Sequence, residues 1–461
     1  MIHSKKQILW IFAITLFTLQ SCTKDEDDLE VVVTDPTTVE LASTTTQLIA
    51  DWNTLWLEID RYTSGMRPNA TARALAYIHL AAYETAVADM NGYTSNRNRL
   101  EGFNINLDRR GNNVNLMLAL NTTYAAVFEH FMFSVSNGAK SGITDLKQQY
   151  ESELFANLSS SEIEQSLEWG DYVARRVISY SESDREAEAQ ILDPQPYSYE
   201  PPVGDGFWTY SADEERAWFP YWASVRTFVI SPNQSSTIPP PIAYSENENS
   251  DYYAQMYEVY EVSTAAREED NEDLWIGEFW SDDVESLMMS PPGRQFSIAL
   301  QVVAQKELNY TETLALYLKL GFSLNDACVS TWADKYEYMV MRPNVYIQEF
   351  IDPEFQTNLY RFIYWPNPSF PGYPSGHSAF ASAAAGVFIA QFGDGINFTE
   401  RSHEGRSEFR STPRQFSTFS DMAEENAFSR VPFGVHIRMD CTEGLRLGYE
   451  IADAINDFNL N

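Results

Sequence analysis

The apolar residues of this chain recur at helical spacing, and that pattern constrains the possible folds more than any other feature. It is strongest at residues 71–90, where the apolar positions at three- and four-residue steps include Leu75, Ile78, Ala82 and Ala86. Further helix-like stretches occupy residues 114–135, 143–157 and 161–185. No run of residues shows the sustained alternation that is typical of a half-buried strand. The sequence therefore predicts an all-α fold.

The helical pattern is interrupted by a long irregular segment at residues 192–250. Proline and tyrosine are dense there, and three tryptophans lie among them, namely Trp208, Trp218 and Trp222. A loop of this length inside a compact protein usually carries a function or covers another part of the molecule. Helical patterning then resumes. We therefore predict two packed helical bundles, an N-terminal domain at 46–250 and a C-terminal catalytic domain at 251–461.

The first residues have the features of a lipoprotein signal peptide. Two lysines precede an apolar run at residues 8–17, which is too short to cross a bilayer as a helix. The run ends at Leu19-Gln20-Ser21-Cys22, which resembles the lipobox of bacterial lipoproteins. We expect a signal peptide at 1–22, a lipid on Cys22, a flexible acidic tether at 23–45, and export to the outer membrane or the cell surface. The alternative is an uncleaved anchor helix.

The charge balance excludes two classes of partner. The chain has 461 residues, of which 66 are acidic and 31 basic, and its formal net charge is −35. Nucleic acids and anionic membrane surfaces attract basic proteins, so we expect no nucleic-acid partner and contact with a membrane only through the N-terminal lipid. Any binding site for an anion must therefore be built locally, from a few well-placed cations.

The cysteine count argues against a disulfide scaffold. Beyond Cys22 the chain has two cysteines, Cys328 and Cys441, whereas small secreted disulfide-rich proteins use many more. We expect both to be small buried side chains. A single disulfide between them is the alternative.

The first of three polar segments in the C-terminal half places two cations at helical spacing. Ser323 and Asp326 are three residues apart and predict the start of a helix, which Pro343 ends. Lys335 and Arg342 are seven residues apart, so on this helix they should lie on one face, about 10 Å apart. Two cations on one face can reach around a single anion. The alternative is a solvated basic edge.

The second segment predicts a helix N-terminus that is suited to binding an oxyanion. Ser375 and Gly376 stand before a helix of small residues at 378–391, and Gly393 closes that helix. Free backbone N–H groups and the positive end of the helix dipole attract anions at such a position. The Ser375 hydroxyl and the Gly376 N–H would be donors, and His377 can exchange a proton near neutral pH. The alternative is an ordinary cap beside an incidental histidine.

The third segment combines a guanidinium with a histidine and a carboxylate. Arg430 offers a planar fork for the oxygens of an anion. His436 and Asp440 are four residues apart, so on a helix the carboxylate can accept a hydrogen bond from one ring nitrogen. That bond would leave the other nitrogen available as a metal ligand or a nucleophile. The alternative is a surface pair.

Together the three segments resemble the signature of the vanadium-dependent haloperoxidases and the related type 2 phosphatidic acid phosphatases. The signature reads K-x6-R-P, then P-S-G-H, then S-R-x5-H-x3-D, and every fixed position is present between residues 335 and 440. A looser resemblance to bacterial haloperoxidase homologues starts at Arg67-Pro68. The resemblance implies an all-α enzyme with vanadate in its C-terminal bundle. The length of the chain and its preceding helical domain favour a haloperoxidase, since those phosphatases are usually much shorter.

The resemblance also implies a role for each residue of the signature. The oxygens of vanadate would be held by Lys335, Arg342, Ser375, Gly376, His377 and Arg430. His436 would bind vanadium, with Asp440 behind it, and His377 would be the acid–base group for hydrogen peroxide. Vanadium(V) would act as a Lewis acid, and Lys335 would add a positive charge beside it. The residues with implied catalytic roles are therefore His377, His436, Lys335 and Asp440.

The resemblance predicts a vanadium-dependent haloperoxidase that uses hydrogen peroxide to oxidise halide, iodide or bromide in preference to chloride. Its product would be hypohalous acid, which halogenates small organic acceptors. Candidates for an apolar halide pocket are Phe370, Trp365 and Trp280, with plain core residues as the alternative. Two other functions stay open. One is an acid phosphatase that uses His436 as nucleophile, and the other is a non-catalytic glycan-binding surface lipoprotein.

Overall fold

A computed structural model describes residues 44–63, 65–210, 215–235, 238–268, 270–282, 284–361 and 367–461. The predicted signal peptide, Cys22, Trp365 and all but the last two residues of the predicted tether lie outside these ranges. Within them the chain forms fourteen α-helices and one two-stranded sheet, which confirms the predicted all-α fold. None of the described helices is long and apolar enough to span a membrane. Cys328 and Cys441 are buried and free, so they do not form the alternative disulfide.

The first six helices form the N-terminal part of the fold. They are α1 Thr44–Asp60, α2 Asn69–Ala86, α3 Leu116–Phe131, α4 Asn137–Phe155, α5 Ser160–Glu182 and α6 Arg185–Leu192. The stretches with the clearest helical patterns correspond to α2, α3, α4 and α5. Polar caps explain where two of them begin. The Asn115 side chain accepts a hydrogen bond from the backbone of α3, and Ser159 forms a capping box with Glu162 at the start of α5.

Eight further helices and the sheet form the C-terminal part. They are α7 Asp251–Ala265, α8 Glu272–Phe279, α9 Pro291–Gln305, α10 Tyr310–Tyr338, α11 Pro343–Phe350, α12 Gly376–Phe392, β1 Gly395–Glu400, β2 Arg414–Thr418, α13 Phe419–Phe428 and α14 Arg438–Asp457. β1 pairs antiparallel with β2, with Phe398 opposite Phe416. This small sheet is compatible with the predicted all-α fold, although no run in the sequence indicated a strand. The strands have 6 and 5 residues, too few for their alternation to stand out.

Helix α10 joins the two parts of the fold. Its 29 residues begin after Asn309, whose side chain accepts hydrogen bonds from the first backbone N–H groups of the helix. It packs against α2 from the N-terminal part and against α12 and α14 from the C-terminal part. Gly321 permits a close approach, since a Cβ there would lie 2.9 Å from the Cα of Ala76 in α2. The two parts therefore share one continuous core.

The predicted helix start at Ser323 and Asp326 is wrong, because both residues lie in the interior of α10. The Ser323 hydroxyl donates a 3.0 Å hydrogen bond to the carbonyl of Ala383 in α12. The buried Asp326 carboxylate accepts hydrogen bonds of 2.8, 2.8 and 3.0 Å from the backbone N–H groups of residues 228–230. These two polar side chains therefore fasten neighbouring segments to α10 instead of capping it.

The irregular segment covers the loop that follows α10. Between α6 and α7 the described residues form no α-helix. The N–H of Trp208 donates a 2.6 Å hydrogen bond to the carbonyl of Met339, and the N–H of Met341 donates one of 2.9 Å to the carbonyl of Gly206. These bonds pair the segment with the short loop between α10 and α11. Met339 is the first residue of this loop and has a left-handed φ of 51°.

We predict that Asp326→Ala destabilises the protein by about 3 kcal/mol. The substitution leaves three backbone N–H groups at residues 228–230 without their acceptor, and each unsatisfied buried donor costs roughly 1–3 kcal/mol before the segment relaxes. Urea denaturation followed by circular dichroism measures the change. The matched control is Asp171→Ala, an exposed carboxylate paired with Arg175 on α5, which should change stability by less than about 0.5 kcal/mol. Equal effects of the two substitutions would contradict the anchoring role.

Candidate oxyanion site

Lys335 lies in the last turn of α10 and is fully buried. Its ammonium group donates hydrogen bonds to three backbone carbonyls, of Pro371 at 2.9 Å, Gly372 at 3.0 Å and Pro374 at 2.6 Å. A buried ammonium has three protons to satisfy, and these carbonyls take all of them. The lysine therefore shapes the loop that leads into α12.

Arg342 does not lie on the helix that carries Lys335, which corrects the prediction of a shared helix face. α10 ends at Tyr338, and Arg342 is the extended residue before Pro343 at the start of α11. Its guanidinium donates to the carbonyls of Phe370 at 2.9 Å and Val435 at 3.0 Å. Its Nη1 also lies 3.1 Å from Nε2 of His436. The turn after α10, rather than helical periodicity, brings this cation into the site.

Ser375 and Gly376 begin α12, as the sequence predicts. Ser375 is the N-cap, and its hydroxyl accepts a hydrogen bond from the N–H of Ser378 at 3.4 Å. Gly393 ends the helix with a left-handed φ of 77°. The backbone of Ser375 is tied to the third segment, because its N–H donates a 2.9 Å hydrogen bond to the carbonyl of Asp440.

His377 lies in the first turn of α12 and retains some exposure, with 12% of its side chain accessible. Its Nε2 is 3.2 Å from Nη1 of Arg430 and 3.9 Å from a carboxylate oxygen of Asp282. A partly exposed imidazole between a guanidinium and a carboxylate can exchange protons with solvent. The sequence analysis did not identify Asp282, which lies far from the signature in the chain.

Arg430 follows α13 and is buried. Its Nε donates to the hydroxyl of Ser429 and its Nη2 to the carbonyl of Trp280, both at 2.9 Å. Its guanidinium also lies 5.0 Å from the ring of Phe433. The two hydrogen bonds hold the plane of the guanidinium in one orientation.

His436 and Asp440 form the predicted pair. Nδ1 of His436 lies 3.0 Å from a carboxylate oxygen of Asp440, which also accepts a hydrogen bond from the N–H of Ile437 at 3.3 Å. α14 begins at Arg438, so the histidine precedes the helix and the carboxylate lies in its first turn. A carboxylate partner fixes the proton on Nδ1 and leaves Nε2 as the basic nitrogen.

The electrostatics of the site suit an anion. Burial, and then the charge of Arg342, hold the pKa of Lys335 well below its usual value. Burial, followed by the charges of Arg342 and Lys335, does the same to the pKa of His436. Burial raises the pKa of Asp440 to about 7, although the two cations oppose this shift. Because the basic groups repel one another, an oxyanion among them would relieve that repulsion, and their donor set fits vanadate or phosphate.

Two aromatic rings lie against the cations. Phe370 is stacked near both, with its ring 5.2 Å from the ammonium of Lys335 and 4.9 Å from the guanidinium of Arg342. Trp332 lies 5.1 Å from Phe370 and one turn before Lys335 on α10. Phe370 was a predicted site residue, whereas Trp332 was not. The three-residue step from Trp332 to Lys335, which places both on one helix face, was the available signal.

The third candidate for the halide pocket, Trp280, contacts the site through its backbone. Its ring is 1% exposed and lies 4.9 Å from the guanidinium of Arg294, while its carbonyl accepts the hydrogen bond from Arg430. The assignment of Trp280 and Phe370 to a halide pocket stays a prediction. Trp365, as noted, is outside the described residues.

Two glycines let α14 lie directly against α12. A Cβ at Gly444 would be 2.4 Å from the carbonyl oxygen of Ser375, and one at Gly448 would be 2.3 Å from that of Ala379. Real Cβ atoms do not approach so closely, so any larger residue would force the helices apart. This contact fixes the position of the α12 N-terminus relative to Asp440.

We predict that Gly444→Ala weakens the binding of inorganic phosphate by about tenfold. The added methyl group would displace the Ser375 carbonyl and with it the N–H groups at the start of α12, and tenfold corresponds to about 1.4 kcal/mol. Isothermal titration calorimetry of the purified protein measures the affinity. Gly395→Ala is the control, since a Cβ there meets nothing within 4 Å. If the Gly444→Ala protein folds and its phosphate affinity is unchanged, the close contact between α12 and α14 is not needed for oxyanion binding.

One family model and one curated protein match part of the chain. Residues 315–460 match the family described as the VCPO second helical-bundle domain. A vanadium chloroperoxidase from Curvularia inaequalis is 22% identical over 215 residues, which are 36% of this chain and 35% of that protein. In this match the chain spans about a third of the length of its relative.

Solved structures are similar over most of the chain. The crystal structure of the first bacterial vanadium-dependent iodoperoxidase gives a TM-score of 0.76 at 24% identity, covering 89% of this chain and 95% of that one. A bacterial vanadium-dependent chloroperoxidase in its holo form gives a TM-score of 0.63 at 14% identity, with coverages of 86% and 92%. At these identities the likeness establishes a shared fold.

Proposed function

We propose that the chain belongs to the vanadium haloperoxidase superfamily, and that it binds vanadate and oxidises halide with hydrogen peroxide. One halide, one hydrogen peroxide and one proton would give one hypohalous acid and one water, a two-electron oxidation of the halide. The observation that carries the proposal is the geometry of His436. Its Nδ1 is paired with Asp440, and its Nε2 lies 3.1 Å from Nη1 of Arg342. A buried neutral imidazole beside cations is suited to a metal oxyanion.

Three kinds of donor would hold the vanadate oxygens. The cations are Lys335, Arg342 and Arg430, the helix start provides the Ser375 hydroxyl and the Gly376 N–H, and His377 lies beside them. Each cation is already hydrogen-bonded to backbone carbonyls or a hydroxyl, so binding of an anion would exchange some of these bonds, including one from Lys335, for bonds to the oxygens of the anion. When bound, vanadate supplies a Lewis-acidic vanadium(V) centre that activates hydrogen peroxide towards halide.

His436 would be the vanadium ligand through Nε2. A histidine must be neutral to bind a metal, and the lowered pKa of His436 keeps it neutral at physiological pH. Asp440 accepts a hydrogen bond from Nδ1–H and so orients the ring, a common arrangement for metal-binding histidines. In this position Arg342 would turn from Nε2 towards an oxygen of the anion.

His377 would transfer the protons of hydrogen peroxide. It is the histidine of the site with access to solvent, so protons can enter and leave through it. Its nearness to Arg430 places it beside the proposed oxyanion. Lys335 would add positive charge as the peroxide bond is polarised, and its own pKa shift reflects how completely it is shielded from water.

Iodide or bromide is the halide that we propose, in preference to chloride. Phe370 and Trp332 give the cation cluster an apolar boundary, and larger halides lose their hydration at lower cost than chloride does. Hypohalous acid would then react with small organic acceptors. We further propose that the protein is exported and held at the outer membrane or cell surface by a lipid on Cys22.

An acid phosphatase activity at the same site is the second candidate. The arrangement that suits a vanadium ligand, a neutral His436 oriented by Asp440, also suits a nucleophile that attacks phosphorus. His377 would then protonate the leaving group. Assays of iodide oxidation and of phosphate-ester hydrolysis on one preparation separate the two activities.

We predict that His436→Ala abolishes peroxide-dependent iodide oxidation, with a loss of at least about a thousandfold, because it removes the covalent bond to vanadium. Vanadate affinity, measured by calorimetry, should fall but not vanish, since the cations remain. His130→Ala, a partly buried histidine in α3, is the matched control and should retain activity. A purified, folded His436→Ala protein with full activity would refute the ligand role.

We also predict that phosphate slows the reactivation of the vanadium-free protein by vanadate. Phosphate and vanadate share a tetrahedral shape and similar charge, so they should compete for one site. Reactivation is followed by iodide oxidation after vanadate is added, with and without millimolar phosphate. Sodium nitrate at the same ionic strength, a planar anion, is the control. If reactivation proceeds at the same rate in phosphate and in nitrate, vanadate does not bind at a site that phosphate can occupy.

A further inference from the structure

Trp280 is bound at two points to the stretch of chain that carries Arg430. It is the C-cap of α8, and its carbonyl accepts a 2.9 Å hydrogen bond from Nη2 of Arg430. Its indole N–H donates a 2.9 Å hydrogen bond to the carboxylate of Glu425 in α13. Glu425 and Arg430 are five residues apart, so one tryptophan connects α8 to both ends of a short segment. Its position and that of Arg430 are therefore linked.

The Glu425 carboxylate is itself held in place. Arg414 donates to its two oxygens, from Nε at 2.7 Å and from Nη2 at 2.6 Å. A bidentate arginine restricts rotation of the carboxylate, so the oxygen that accepts the indole N–H stays directed at Trp280. On the ring face the guanidinium of Arg294 lies at 4.9 Å, and a buried ion pair of 3.0 Å with Glu400 fixes that arginine.

These contacts of Trp280 restrict the orientation of the Arg430 guanidinium. Its Nε donates to Ser429 and its Nη2 to Trp280, and these bonds lie at two edges of a rigid plane. The plane can then face only one way, with Nη1 directed at the side where His377 lies at 3.2 Å. A shift of the Trp280 carbonyl would rotate the donors that face the anion.

We propose that Trp280 and Glu425 are positioning residues for Arg430, which act by holding the Trp280 carbonyl in place and thereby orient the guanidinium towards the bound oxyanion. The proposal rests on the proposed function in taking Arg430 as an oxyanion ligand. It does not depend on which reaction the bound anion supports. It also gives Trp280 a role different from that of a halide-pocket wall.

Helix α8 contains a matched control. Trp275 lies on the same helix and its ring stacks on Arg414 at 4.2 Å and on Arg410 at 3.6 Å. Its buried indole N–H has no hydrogen-bond partner among the described residues. Trp275→Phe therefore removes an arginine-stacked indole from α8 without removing a hydrogen bond that leads to Arg430.

The test compares Trp280→Phe with Trp275→Phe, each in the wild-type and the Arg430→Ala background. Calorimetry measures the affinity of the vanadium-free proteins for inorganic phosphate and for orthovanadate. In the wild-type background we expect Trp280→Phe to weaken both by about tenfold, the effect of one misaligned charge-assisted hydrogen bond, and Trp275→Phe to change neither. In the Arg430→Ala background Trp280→Phe should have no further effect, because the residue that it orients is gone.

Two results would overturn the proposal. One is equal weakening by the two tryptophan substitutions, and the other is a Trp280→Phe effect that persists undiminished without Arg430, since both indicate a general structural role. If Trp280→Phe does not fold, Glu425→Leu and Glu425→Gln serve instead. Glutamine keeps an oxygen for the indole N–H, so Glu425→Gln should bind the anions within about threefold of wild type and Glu425→Leu about tenfold more weakly. Equal losses would contradict the proposal.

Failure of the proposed function has a different signature. If vanadate-loaded wild-type protein oxidises no halide, but the tryptophan pair still differs in phosphate affinity, the positioning role stands and the haloperoxidase proposal fails. If the protein is active and the pair does not differ, the positioning role fails alone.

Discussion

Mutual repulsion among buried cations is the constraint on which this structure depends. Burial, and then the nearby charge of Arg342, lower the pKa of Lys335, and both side chains are almost inaccessible to solvent. Such groups can be buried only if their donors are satisfied. Carbonyls of the loop at 370–374 accept three hydrogen bonds from Lys335 and one from Arg342, which donates another to Val435, and these bonds hold the loop in an irregular, rigid conformation. Its rigidity in turn sets the start of α12.

The helices provide the frame that makes this loop rigid. α10 delivers Lys335 at its end, α12 begins where the loop stops, and α14 lies against α12 through glycines that no larger residue could replace. The N–H of Ser375 donates a hydrogen bond to the carbonyl of Asp440, which connects the second and third segments of the signature. The irregular segment at 192–250 covers the remaining side by pairing with the loop after α10. Close helix packing thus supports an exact arrangement of loops.

The helices and the residues of the site could be predicted from the sequence, whereas the local geometry of the site could not. The helical spacing of apolar residues indicates α2, α3 and α5, and polar caps mark where α3 and α5 begin, because both are local signals. The site residues could be named because the signature is specific, whereas their contacts could not. Arg342 leaves the helix of Lys335 since Met339 adopts a left-handed conformation that no propensity predicts. Asp326 accepts bonds from residues about a hundred positions away, and such a tertiary contact leaves no trace in its neighbours.

The acidic composition of the chain and its anion site are compatible because the two act over different distances. A formal net charge of −35 produces a field that salt screens within about 8 Å at physiological ionic strength. The cations of the site act on a bound anion over about 3 Å, inside a medium that screens far less. The local field therefore prevails at the site whatever the surface carries. The surface charge can still affect the approach of an anion through solvent. His377 is the most accessible residue of the cluster, so an approaching anion should meet it first.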